Sequence, residues 1–194
     1  MLTLVLGLVL FFAIHLVPTQ PELRGGLVSR YGEGAYKGIF TLVAIVGLAL
    51  IVLGYGKMQV MPGKNPELWH PPLWSRHVAL ALMLPSMILL VAAYVPSRIR
   101  DAVKHPMLAS VKIWALAHLL ANGDLASVVL FGSFLAWAIF DRISVKRRAA
   151  LGPLGARAGG AIVNDVLVLA AGTALYFLLL HWGHKLLVGV SPLG

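Results

Sequence analysis

Gly38-Ile39-Phe40-Thr41-Leu42-Val43-Ala44-Ile45-Val46-Gly47-Leu48-Ala49-Leu50-Ile51-Val52-Leu53-Gly54-Tyr55 runs for eighteen positions without a charged side chain. As a helix rising 1.5 Å per residue it would reach about 27 Å, close to the hydrocarbon thickness of a bilayer. No stripe of charge recurs every third or fourth residue, as a soluble amphipathic helix would show. Nor do apolar and polar residues alternate, as in a barrel strand. In hydrocarbon every backbone N–H and C=O must be satisfied internally, and for such a run only a helix does this.

Outward from this run, blocks of the same kind occupy residues 2–17, 35–55, 77–95, 107–121, 125–140 and 161–182, and the loops between them hold nearly all the charge. Of 194 residues 59% are hydrophobic and 12% charged, about half the charged share of an ordinary soluble chain. The expected fold is all-α: a polytopic helical membrane bundle of about six transmembrane helices, one domain over residues 1–194. The fourth and fifth blocks meet at Asn122-Gly123-Asp124. This reads as a tight helical hairpin in which Asn or Gly takes a left-handed C-cap and Asp caps the next helix. Both helices of that hairpin read as short for a span of about 20 residues. The first block lacks a positive flank and a small-x-small cleavage site, so it reads as a retained helix.

Charge gives an orientation. Arg24, Arg30, Lys37, Arg98, Arg100, Lys104, Arg142, Lys146, Arg147, Arg148 and Arg157 fall on one side of the six blocks, against Lys57, Lys64, Arg76 and Lys185 on the other. Basic loops stay cytoplasmic, so both termini are expected outside, as in a multi-pass protein of the cell inner membrane. The net charge of +9 then fits loops facing anionic lipid. The lipid bilayer is the expected partner. Nucleic acid is not, since no basic–aromatic patch of the single-strand-binding kind occurs. With no cysteine, disulfides, thiolate metal sites and covalent c-type haem are excluded.

Ionisable groups at membrane depth are costly and tend to be functional. His15 should lie roughly 20 Å from the outer surface and His118 roughly 16 Å from the inner one, depths only some 6 Å apart in a core of about 30 Å. Two imidazoles at similar depth could clamp one haem iron; alternatively each hydrogen-bonds a neighbouring helix. Lys112 shares a helix face with His105, two turns before it, and reads as a snorkelling side chain or a carboxylate partner. Asp165 reads as a cap at the start of the sixth helix. His70, His77, His181 and His184 all fall on the outer side, a candidate metal group, with an interfacial position as the alternative. Pro85 is expected to kink the third helix.

Lys104-His105-Pro106-Met107 followed by Trp114-Ala115-Leu116-Ala117-His118-Leu119-Leu120-Ala121-Asn122-Gly123-Asp124 resembles the signature of the NnrU family, bacterial membrane proteins associated with nitrite and nitric oxide reduction genes. The resemblance includes His15, Arg24 and the run Tyr31-Gly32-Glu33-Gly34-Ala35-Tyr36-Lys37-Gly38-Ile39-Phe40, and covers essentially the whole chain. That family is related to zeta-carotene isomerase, a membrane enzyme that uses haem b with two axial histidines. The resemblance therefore implies haem b as cofactor, with His15 and His118 as ligands of the haem iron. His105, Lys112, Asn122 and Asp124 become candidate supporting polar residues. Lys104 stands where the family usually has arginine, which keeps the charge and loses the bidentate fork.

Three functions remain open at this point. The first is a haem-b protein supporting nitrite and nitric oxide metabolism, with a nitrogen-oxide small molecule as substrate. The second is a haem-dependent cis–trans isomerase of a hydrophobic polyene such as zeta-carotene. The third is a non-catalytic membrane scaffold. Isoprenylcysteine-type methyltransferases also carry a basic-His-Pro run, but they need a later acidic pair, and this chain has no glutamate after Glu67.

Overall fold

The computed structural model describes residues 1–148 and 160–193, and Arg157, counted above among the basic loop residues, lies outside them. The protein is 82% helical with no strand among the described residues. It is a polytopic helical membrane protein. The helices are α1 (Leu2–Leu16), α2 (Pro21–Tyr31), α3 (Glu33–Val60), α4 (Leu73–Ala92), α5 (Arg98–Val103), α6 (Pro106–Ala121), α7 (Leu125–Arg147), α8 (Ile162–Leu178) and α9 (His184–Val188). Leu179–Gly183 joins α8 to α9 as a π-helical segment. Five stretches are long and apolar enough to cross a bilayer: Leu2–Thr19, Glu33–Val60, Leu73–Ala92, Leu125–Arg147 and Ile162–Val188; Pro106–Ala121 is a shorter apolar helix. The chain divides into two compact units, Met1–Pro66 and Glu67–Gly194.

In the first unit α1 packs on α3. Backbone replaces side chain at three glycines. A Cβ on Gly54 would strike the backbone of Leu4, one on Gly7 the backbone of Ile51 and Gly47, and one on Gly47 the backbone of Phe11. The pairs 4 with 54, 7 with 51 and 11 with 47 make the helices antiparallel. Small residues at such a seam let helices gain dispersion contacts that the hydrophobic effect cannot supply in lipid. The outer face is the reverse of a soluble helix: Ile39, Leu42, Ile45 and Leu53 are all more than half exposed.

In the second unit α6 packs between α4 and α7, and α8 lies against α4. Its interior is where the buried polar residues gather: Ser75, Ser86, Ser97, Arg100, His105, Ser110, Ser127 and Asp165. Ser86 Oγ donates to the Ser110 carbonyl at 3.0 Å and Ser110 Oγ to that of Ser86 at 2.8 Å, tying α4 to α6. Helix α4 is continuous through Pro85. A Cβ on Gly172 of α8 would meet Ile88 of α4, a second glycine-mediated approach.

Three local expectations are corrected. The Asn122-Gly123-Asp124 turn contains no left-handed residue: Asn122 is extended at φ −126°, ψ 132°. Gly123 is needed for space, because its carbonyl accepts from Leu68 N–H at 2.7 Å and a Cβ would overlap the Trp69 carbonyl. Asp124 does cap α7, accepting from Ser127 N–H at 3.0 Å. Helix α7 is not short: it continues past Phe140 for 23 residues in all, with Lys146 and Arg147 in its last turn, where cations suit the dipole. Asp165 sits in the first turn of α8 but caps α5. Its Oδ1 accepts from the N–H groups of Arg98 (2.8 Å) and Ile99 (3.4 Å), and Oδ2 accepts from Arg98 Nε at 2.5 Å. Ser97 takes the third free donor, Arg100 N–H, at 3.2 Å. Three of the four amide donors left open at a helix start are thereby satisfied.

Asp165→Ala should therefore lower the thermal midpoint of the detergent-solubilised protein clearly more than Asp165→Asn, which keeps an acceptor for the two amides. Equal midpoints for the two variants would contradict this capping role.

Candidate functional site

His15 lies in the first unit and His118 in the second. His15 occupies the last turn of α1 and is half-buried. Its Nδ1 lies 2.6 Å from the Phe11 carbonyl, one turn back. A carbonyl only accepts, so Nδ1 carries the proton and Nε2 keeps its lone pair. The ring lies against Phe11 (4.0 Å between centroids) and Phe40 (5.0 Å). Beyond Phe40 the motif residues form a chain of contacts: Tyr36 is 6.3 Å from Phe40, the Arg24 guanidinium lies 5.6 Å over the Tyr36 ring, and Lys37 pairs with Glu33 at 2.9 Å. The Tyr31–Phe40 run thus reaches His15 through Phe40 and links that ring to the charges of Arg24, Glu33 and Lys37.

His118 is one turn from the end of α6 and repeats that arrangement. Its Nδ1 donates to the Trp114 carbonyl at 2.8 Å, again leaving Nε2 with the lone pair. Phe131 stacks on the ring at 4.4 Å, and Trp114 lies 5.2 Å away. Asn122 Nδ2 donates to the His118 carbonyl at 2.8 Å and fastens the end of the helix. The ring borders a cavity of about 520 Å³ within the second unit. Ala79, Leu80, Met83, Leu179 and Leu180 make it largely apolar; Arg76, Tyr176 and His184 bring polar groups. That combination of apolar wall and few polar groups is typical of cofactor and small-molecule pockets.

By sequence, His184 falls in an outer histidine group. Among the described residues no group of three or more His, Cys, Asp or Glu is placed to hold a metal ion. His70 pairs with Glu67 at 2.9 Å, and the His181 ring lies 6.2 Å from that of Phe177. His184 instead joins His118, 6.2 Å away between ring centroids. Its role at this cavity depends on the π segment, which periodicity alone does not reveal.

Of the remaining candidates, none of His105, Lys112 and Asp124 lines the cavity. His105 is the N-cap residue of α6 and is buried, its Nδ1 without a hydrogen-bond partner among the described residues. Burial first, then the Arg142 charge, hold its pKa below the usual imidazole value, partly offset by Asp141. Lys104 before it adopts φ 65°, a conformation non-glycine residues rarely take. Lys112 is half-buried on α6 and does not border the cavity. Asp124 is occupied as the α7 cap.

No curated protein and no solved structure matches this chain. A family model described as NnrU protein matches residues 3–192, nearly the whole chain and both compact units. The chain therefore belongs to the NnrU family.

Proposed function

We propose that this protein binds haem b in the inner membrane, with His118 as an axial ligand, and supports nitrite and nitric oxide metabolism. The observation that carries the reading is His118 itself: an imidazole with Nδ1 pinned to a carbonyl, bordering a largely apolar cavity of about 520 Å³. Ligating histidines commonly hold their second nitrogen in this way, which fixes the tautomer and raises the basicity of the ligating one. His15, the other ligand implied by the resemblance, has its Nδ1 pinned in the same manner. Arg76 at the cavity wall offers a cation for a propionate carboxylate. When bound, haem would supply one-electron or ligand-binding chemistry at iron, tuned by the axial ligands and the apolar surroundings. The residues' part is to hold the macrocycle, keep water from it and fix the imidazole plane.

Full-length protein expressed with ample haem and purified in mild detergent should show a Soret band with haem in stoichiometric amount. Folded protein without that band would refute the reading. The apolar wall built from Ala79, Leu80, Met83, Leu179 and Leu180 also favours a second reading, isomerisation of a polyene. Co-expression with a carotenoid pathway stalled at the cis isomer tests it, and an unchanged isomer composition counts against it.

The charge bias supports an orientation with both termini outside. Because the chain has no cysteine, a single introduced one is a unique label. Lys64→Cys should react with a membrane-impermeant maleimide in intact spheroplasts, and Lys146→Cys only after lysis. The opposite pattern would invert the topology.

A further inference from the structure

Lys112 places a charge inside an apolar helix. It is the seventh residue of α6, about 9 Å along the axis from the helix start. By sequence it reads as a carboxylate partner or a snorkelling side chain. Among the described residues it joins no ion pair and no hydrogen bond, so no carboxylate meets it. A lysine at that depth must still find a counter-charge or water.

Helix geometry decides where the ammonium goes. Each Cα–Cβ bond tilts toward the helix N-terminus, and long side chains lie back over the preceding turn. That brings Lys112 about one turn, or 5.4 Å, nearer the start of α6. Position 105 lies on the same face, two turns before it. One turn beyond it, again on that face, Leu116 is 44% exposed. This side of α6 therefore opens outward, away from its contacts with α4 and α7.

The start of α6 is a basic corner. Lys104 and His105 lead into it, and Asp141 and Arg142 of α7 lie close enough to act on the imidazole. Burial first, then Arg142 and Lys104, hold the His105 pKa low, so the two cations share one neighbourhood. Asp141 opposes them but pairs with Arg148 at 3.5 Å, and Asp165 pairs with Arg98. Lys104 and Arg142 themselves enter no ion pair among the described residues. The positive end of the α6 dipole adds to the same field.

Charge and depth together select the ligand. An anion in bulk water would reach the exposed Lys104 but not a lysine set inside the apolar block. A phospholipid phosphate sits at the boundary, and its acyl chains would lie along the outward face at Leu116. A zwitterionic headgroup carries its own cation, so an anionic lipid is favoured. Basic pockets beside transmembrane helices on the cytoplasmic side recurrently hold such headgroups.

We propose that Lys112, Lys104 and Arg142 hold the phosphate of one anionic phospholipid, in the leaflet on the basic side of the protein. The assignment does not depend on the haem reading. Full-length protein in mild detergent, titrated with phosphatidylglycerol, phosphatidylcholine or inorganic phosphate, tests it by native mass spectrometry and thermal midpoint. Wild type should bind one phosphatidylglycerol in clear preference to phosphatidylcholine. Lys112→Gln should weaken that binding about fivefold, the worth of one basic side chain at a lipid surface. Lys112→Arg should keep it, and Lys64→Gln, on the opposite side, should match wild type. Arg142→Gln should weaken it by a similar factor, and this arm decides the matter where Lys112→Gln does not fold. Equal binding of the two lipids, or wild-type affinity in folded Lys112→Gln, would overturn the assignment. A thermal shift from inorganic phosphate as large as that from phosphatidylglycerol at equal concentration would overturn the lipid in favour of a free anion.

Discussion

His118→Ala should lose haem, with affinity down about 100-fold or more, because removing only the partners that orient a metal ligand costs about 10- to 100-fold. The substitution also deletes the ring that Phe131 stacks on at 4.4 Å, so helical content and thermal midpoint must be measured beside the haem-to-protein ratio. His105→Ala is the comparison. It lies on the same helix start-to-end axis, is equally part of the family signature, and does not border the cavity. Haem retained by His105→Ala and lost by His118→Ala separates a ligand from a structural histidine. Equal loss in both would mean that the effect comes through α6 as a whole.

Gly54→Leu should destabilise the first unit by about 3 kcal/mol or more. Overpacking costs most where the obstruction cannot move, and here the added Cβ meets the backbone N and Cα of Leu4. Gly56→Leu, two residues on, is the control, since a Cβ there meets nothing within 4 Å. It should be close to neutral. Reversible unfolding in mixed micelles, followed by circular dichroism, measures both. Similar stability for the two variants would contradict the glycine seam.

Much of this was legible in sequence because the bilayer imposes a blunt rule. A run such as Gly38–Tyr55 has no alternative to helix, and the NnrU-like residues spanned the chain as the family match does. What periodicity could not supply was where helices stop. Helix α7 outran its apolar block because Lys146 and Arg147 favour a helix C-terminus, so charge prolonged the helix where hydropathy ended it. Asp165 was legible as a cap, but its target, α5, is distant in sequence and becomes a neighbour only on packing.

The same limit governs the candidate site. His15 and His118 stand out as histidines in apolar helices, a signal any sequence shows. The i−4 carbonyl bonds that fix their tautomers follow from helix geometry and residue type. His184 was visible only as one of four outer histidines, three residues after His181, and that spacing assumes a regular helix. The π segment breaks the assumption and turns His184 into the cavity. Asn122 kept its place beside His118, but as a helix-end clamp through its Nδ2 and not through a left-handed backbone.

The central claim is that the cavity beside His118 is a haem site, and an absorption spectrum of the purified full-length protein from haem-replete cells tests it most directly. The expected result is a Soret band at about one haem per chain, lost in His118→Ala. A folded, helical protein with no Soret band, in cells where a control haem protein is fully loaded, would contradict it.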